Sequence, residues 1–349
     1  MTKTGGIGIS GNRLLAIAFA LMATLTLNAI GSKNTAASFT SLSMNPVNVA
    51  TTLVVQPPAS QSNTTSAAAG VVSLAWTATT TAPGAGHTLT YDVLRGPVGG
   101  PYSVVGNTAS LTFNDTPPAD GSYGYVVHAK VTGGGTFTST DSPAKSGLSD
   151  RTAPAMSVTC NAVACNGGWY TAAVSVTVSG ADGGTGMGSV TRNVDAAGQA
   201  STAGATVTFN VTGDSTGHTV QYFGTDAAGN AASPASQTIK IDATAPTAAA
   251  ALASLTGTSV GSVDLSWTAA TDATSGIAGY TVHYVQATAC PATANPASFP
   301  STFAIAGNVS AGTVTGLTTA KKYCFYLSAN DNAGNAGPAS GITGPTKAQ

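Results

Sequence analysis

Apolar residues in this chain fall in short alternating runs. "VVSLAWTA" puts Val72, Leu74 and Trp76 on one side, and "GSYGYVVHAKV" does the same with Tyr123, Tyr125, Val127 and Ala129. Val174, Val176 and Val178 alternate in "AAVSVTVSG", and Val190 and Val194 continue in the next run. "SVDLSWTAATD", "GYTVHYVQA" and "KKYCFYLSAND" repeat the plan near the C-terminus. Period two over five to eight residues predicts half-buried strands, and the Gly, Asn, Asp and Pro clusters between them predict turns.

Two short motifs recur. D-x-A-G-N occupies Asp226 to Asn230 and Asp331 to Asn335, each time between an aromatic alternating strand and a final strand. That is a hairpin position: Asp caps the turn through its side chain, Gly takes positive φ, and Asn tolerates the left-handed region. D-x-T-A-P begins at Asp150 and again at Asp242. Proline ends a strand and holds its neighbour extended, so this motif marks linkers. The pieces it separates are about 100 residues each, the size of one β-sandwich. The divisions are 1–37 (signal and cleavage region), 38–69 (linker and a first strand), and three sandwiches at 70–149, 152–244 and 246–346. The fold class is all-β, a tandem array of three sandwiches.

Composition sharpens this picture. Charged residues are 7% of the 349, against about 25% in an ordinary globular chain. All 13 acidic residues are Asp, and Glu is absent, which removes the usual helix-surface residue. The net charge of −1 gives no electrostatic basis for binding nucleic acid.

Near the N-terminus, "LLAIAFALMATLTL" (Leu14 to Leu27) follows Lys3 and Arg13. Its length suits a signal-peptide core better than a spanning helix, which needs about 20 apolar residues. Cleavage is expected after Gly31 or Ala37; the alternative is an uncleaved anchor, the one route to a membrane. The cysteines fit export. Cys160 and Cys165 lie in "CNAVAC", and Cys290 and Cys324 lie far from them, so local pairing Cys160–Cys165 and Cys290–Cys324 is expected. A zinc site would need CxxC pairs or adjacent histidines, and neither is present.

The order Trp, Tyr and alternating strands in the first and third sandwiches resembles fibronectin type III domains. Trp267 corresponds to Trp76, Tyr280 to Tyr91, and Tyr323 to Tyr123. The resemblance implies that Trp76 and Trp267 fill the core between sheets and that Tyr123 and Tyr323 make a corner hydrogen bond. The middle segment, with Trp169-Tyr170-Thr171 before a strand and D-x-A-G-N near its end, is similar to bacterial immunoglobulin-like repeats of surface proteins.

Chemistry-bearing patterns are sparse. His87, His128, His218 and His283 lie on strands or at strand entrances, with no G-x-S-x-G, H-E-x-x-H or nucleotide-binding context. No catalytic residue and no cofactor is expected. Calcium is the metal to weigh. Asp182 in "ADGGTGMG" and Asp272 in "TDATSGIAG" precede Asp226 and Asp331; if the loops of each pair share one end of a sandwich, Asp182 can approach Asp226, and Asp272 can approach Asp331. Two carboxylates per site are few for a cation that takes six to eight oxygens, so turns are expected instead of metal. The sequence therefore reads as an exported, non-enzymatic surface or matrix protein acting in adhesion, display or spacing. The alternative is a glycan-binding or accessory module of an extracellular enzyme system. The expected partner is an extracellular protein or polysaccharide.

Overall fold

The computed structural model describes residues 37–38, 53–65 and 69–349; the signal-like segment and both cleavage points that precede Ser38 lie outside or at the edge of these. Among the described residues every regular element is a strand. The described residues form two compact units, one comprising those up to Thr65 together with Val71–Ser149, the other Ala69, Gly70 and Asp150–Gln349.

In the first unit the principal strands are β1 (Gln61–Thr65), β2 (Val72–Trp76), β3 (Thr88–Gly96), β4 (Ser103–Thr108), β5 (Thr112–Asp115), β6 (Gly121–Thr132) and β7 (Lys145–Ser149). They make a three-stranded sheet, β1-β2-β5, and a sheet in the order β7-β6-β3-β4, to which a short fifth strand, Thr136–Thr138, adds by pairing with β6. The inner faces meet in a core of Val72, Leu74, Trp76, Tyr91, Val93, Tyr125 and Val127. Val55 is also buried there, and β1 begins at Gln61, so the sandwich starts earlier than 70. "QSNTT" is polar throughout and gives no alternation; it is a strand because its backbone pairs with β2, Gln61 opposite Trp76 through Thr65 opposite Val72.

The second unit holds two sandwiches. The middle one contains β8 (Ala155–Cys160), β9 (Val174–Ala181), β10 (Met187–Val194), β11 (Ala200–Ala203), β12 (Thr206–Val211), β13 (Ser215–Asp226) and β14 (Ala235–Ile241). The third contains β15 (Ala250–Thr256), β16 (Val263–Thr268), β17 (Ile277–Gln286), β18 (Ser301–Ala306), β19 (Ala311–Val314), β20 (Lys322–Asp331) and β21 (Thr343–Lys347). Their sheets run β8-β9-β12 with β14-β13-β10-β11, and β15-β16-β19 with β18-β17-β20-β21. All three sandwiches thus share one strand order. The middle one adds a short strand, Trp169–Tyr170, that pairs in parallel with β14. Its core is built from valines because small β-branched side chains fill the narrow space between facing sheets: Val174, Val176, Val178, Val190 and Val220 are all fully buried.

Trp76 and Trp267 lie in the cores at 6% and 5% exposure, each edge-on to the tyrosine of the next strand (Tyr91 at 5.5 Å, Tyr280 at 5.0 Å). Both indole Nε1 atoms are buried without an acceptor. Tyr123 donates its hydroxyl to the Ala119 carbonyl at 3.1 Å, and the Tyr323 hydroxyl accepts from the Thr318 amide at 3.0 Å. Each bond reaches four or five residues back and fixes the corner before its strand. Cys160 is bonded to Cys165, and Cys290 to Cys324. The latter ties the loop after β17 to β20, over a small second core of Phe299, Cys324 and Tyr326.

Candidate functional site

The two copies of D-x-A-G-N close the β13–β14 and β20–β21 hairpins, and each becomes part of a three-carboxylate cluster. Asp150, Asp182 and Asp226 form one; Asp242, Asp272 and Asp331 form the other, with one oxygen from each residue within 4.8 Å of the others. The structure therefore brings together the four loop aspartates singled out in the sequence. It adds Asp150 and Asp242, which sequence reading assigned only to linkers. Their signal was available: D-x-T-A-P recurs once before each cluster.

Each cluster is assembled from three turns, and the bonds match position by position. In the D-x-T-A-P segment, Asp150 Oδ1 accepts from the Thr152 amide (3.2 Å) and Asp242 Oδ1 from the Thr244 amide (3.1 Å). In the glycine-rich loop, Asp182 Oδ2 accepts from the amides of Gly184 (3.0 Å) and Gly186 (2.8 Å). Asp272 Oδ1 accepts likewise from Thr274 (3.1 Å) and Gly276 (2.7 Å). Gly186 and Gly276 stand at φ of +79° and +76°, a region that side-chain-bearing residues enter at a cost. The loops then meet the linkers: Thr185 gives its amide and hydroxyl to Asp150 Oδ2, both at 2.7 Å, and the Ser275 amide gives to Asp242 Oδ2 at 3.0 Å.

The third turn is D-x-A-G-N itself. The Asn230 amide donates to Asp226 Oδ1 and the Asn230 side-chain Nδ2 to Asp226 Oδ2, both at 2.7 Å. Asn335 repeats this on Asp331 at 2.8 Å for both bonds. Gly229 and Gly334 take φ of +96° and +99°, while Asn230 and Asn335 stay out of the left-handed region. The asparagine is there for its carboxamide, which also donates to the linker carbonyl: Asn230 Nδ2 to Asp150 O at 3.0 Å, Asn335 Nδ2 to Asp242 O at 2.9 Å.

Asp150, Asp226, Asp242 and Asp331 are 0–3% exposed; Asp182 and Asp272 are half-buried. Chemically each cluster is a hydrogen-bonded clamp in which backbone N–H dipoles face the carboxylates. As metal ligands the same oxygens would have to share lone pairs with those N–H groups. The exceptions are Asp182 Oδ1, buried and without a partner, and its counterpart Asp272 Oδ2, since both amides at Asp272 bond Oδ1. Three carboxylates supply only part of the six to eight oxygens calcium takes.

Outside the clusters, Asp214 accepts from the Ala243 amide at 2.8 Å and from the Thr244 hydroxyl, and so braces the second D-x-T-A-P segment. His218 bonds Asp195 at 2.6 Å and the Gly213 carbonyl at 2.9 Å, and His128 pairs with Asp141 on the first unit's surface. Burial pulls the His218 pKa down, but the bonds to Asp195 and Gly213 outweigh it and the net shift is upward. The Asp195 carboxyl is held low by His218 and by the Thr219 amide. His283 stacks on Tyr326 at 4.5 Å, and burial lowers its pKa. In the first unit Arg95 grips both oxygens of Asp115 (3.0 and 2.8 Å), and the buried Tyr125 hydroxyl donates to the same carboxylate at 2.7 Å.

Residues 244–344 match the fibronectin type III domain family, and the third sandwich is a fibronectin type III domain. The chain is 33% identical over 295 residues to Exoglucanase B of Cellulomonas fimi, an alignment that takes in 78% of this chain. It spans 24% of that protein's length. Among solved structures it is similar to the chicken CNTN1 FN1-FN3 domains, at 15% identity and a TM-score of 0.34, covering 82% of this chain and 97% of that one. A set of titin domains is similar at 12% identity and a TM-score of 0.40, covering 90% and 100%.

Proposed function

We propose that this chain is an exported, non-catalytic accessory array that spaces or supports an enzyme acting on an extracellular polysaccharide. The observation that carries the reading is the likeness to a quarter of an exoglucanase, extending over more of this chain than any one sandwich occupies. Disulfides within both sandwiches of the second unit suit an oxidising compartment. The architecture suits spacing: the joint between the middle and third sandwiches is fastened by Asp242, whose amide donates to Tyr170 of one and whose carbonyl and carboxylate accept from Asn335 and Ser275 of the other. A joint with three bonds through one residue transmits position better than a free linker.

The test is a replacement. The segment of Exoglucanase B that aligns with this chain is deleted, or exchanged for this chain, and hydrolysis of insoluble cellulose is compared with hydrolysis of a soluble substrate. The accessory reading expects deletion to lower the insoluble rate selectively and the exchange to restore it. An exchange no better than deletion, with the soluble rate intact, would contradict it and favour a surface-adhesion role.

A further inference from the structure

The outer face of the middle sandwich carries a shallow cleft lined by residues outside the aspartate clusters. Along β10 and β13, Thr191 stands opposite Phe223, and Asn193 opposite Gln221. These four side chains point away from the core, because their neighbours Val190, Val220 and Tyr222 fill it. Phe223 and Thr191 form one end of the floor; Asn193 and Gln221 form the other. Gln199 and Pro234 rise at the sides, one from the β10–β11 loop and one from the β13–β14 connection. The Asn193 side-chain oxygen accepts from the Gly198 amide at 3.1 Å and so holds the loop that delivers Gln199.

The chemistry of this lining is specific. It combines one aromatic ring, a hydroxyl and three carboxamides, with no carboxylate and no ammonium. Arg192 borders the cleft, but its guanidinium lies 4.2 Å over the Phe209 ring, toward the core side of the sheet. A carboxamide offers both donor and acceptor, which matches vicinal hydroxyls that are themselves both. An aromatic face offers an apolar platform for the C–H side of a ring. Gln199 and Gln221 are exposed, so binding a hydroxyl exchanges water and breaks no internal bond. The cleft encloses about 240 Å³, smaller than the roughly 300–1,000 Å³ of pockets that engulf a drug-sized ligand. It has room for one sugar ring of a chain that runs on across the surface.

We infer that this cleft binds a neutral polysaccharide, seating one pyranose unit on Phe223 with its hydroxyls between Gln221, Asn193 and Gln199. The inference deepens the accessory reading by giving the array its own hold on the polymer. Its geometry does not depend on that reading.

The test uses the whole chain, isotopically labelled, titrated with cello-, xylo-, manno- and chito-oligosaccharides while backbone amide shifts are followed. At least one series is expected to shift Thr191, Asn193, Gln221 and Phe223 together. Phe223→Ala should weaken binding about 3–10-fold, the equivalent of an aromatic contact. Gln221→Ala replaces an exposed side chain and should leave the melting temperature unchanged while weakening binding, so a folding failure of the first variant does not remove the test. Overturning results are no shifts with any sugar, shifts confined to another surface, or undiminished binding by a folded Gln221→Ala chain. Binding here alongside a failed exchange in the exoglucanase would remove the accessory reading alone. A successful exchange without binding would remove the cleft alone.

Discussion

Asn335 donates from one side-chain nitrogen to two acceptors, the Asp331 carboxylate at 2.8 Å and the Asp242 backbone carbonyl at 2.9 Å. Asn230 does the same to Asp226 and Asp150 at 2.7 and 3.0 Å. The turn at the end of each sandwich thus holds the linker at its beginning. The motif that repeats in the sequence repeats because the same closure is made twice.

This arrangement alters what Asp226→Asn and Asp331→Asn should do. Read as turn residues alone, they tolerate an amide, since one oxygen still accepts. Here both carboxylate oxygens accept, so an amide would place NH₂ against the Asn230 or Asn335 donors. A buried donor left facing a donor costs about 1–3 kcal/mol. Urea unfolding of each variant should show that loss; an unchanged midpoint would mean the second oxygen is dispensable.

Gly334→Val should also destabilise, for a different reason. A side chain added there meets no atom within 4 Å, so the cost is that of the backbone at φ +99°. Left-handed geometry costs an L-residue roughly 1–2 kcal/mol, and a β-branched one lies at the upper end. Gly334→Asn, which tolerates that region better, should recover part of the loss in the same melting experiment.

How much of this was legible beforehand depends on the range of the interaction. Strands such as Val72–Trp76 and Val174–Ala181 declare themselves because one face is buried and the period of two is local. So do the closures of the two hairpins and the short-range cysteine pairs. Gln61–Thr65 does not, since an edge strand held by backbone bonds needs no apolar side chain. The clusters were half legible: Asp182 and Asp226 lie in loops that strand order places together. Asp150 joins them through long-range bonds, from Thr185 to its carboxylate and from Asn230, 80 residues away, to its carbonyl. The cleft at Phe223 was not legible, because its floor depends on the register between β10 and β13.

The two buried or paired histidines of the second unit should respond to pH in opposite senses. The folded pKa of His218 is raised, so its contribution is full below 6.5 and is lost as pH rises through the raised value. Its partner Asp195 has a lowered pKa, so that contribution is present above 3.8 and is lost as pH falls through the lowered value. The pair contributes most between those two pKa ranges. His283 is the reverse: its folded pKa is lowered, so stability falls as pH drops below 6.5, where only the unfolded chain takes the proton readily. Imidazole proton titration should place His218 above 6.5 and His283 below it. The same order for both histidines would refute the assignment.

Asp115→Ala should be the most damaging single charge removal in the first unit. It strands the Arg95 guanidinium and leaves the fully buried Tyr125 hydroxyl without its acceptor. Breaking one partner of a buried pair costs about 3–5 kcal/mol, and the partial exposure of Arg95 puts the expectation near the lower end. Chemical denaturation of the variant gives the value directly, and a loss under about 1 kcal/mol would show the triad to be incidental.

The claim at the centre of this account is that D-x-A-G-N works as a hydrogen-bonded clamp between its own Asp and Asn. A double-mutant cycle on Asp331→Ala and Asn335→Ala, with unfolding measured in a chelating buffer, isolates that contact from any bound ion. A coupling energy of about 1–3 kcal/mol is expected, as for residues sharing a buried hydrogen-bond network. Additive losses in chelator, to within about 0.5 kcal/mol, or a coupling that arises only when calcium is supplied, would contradict it.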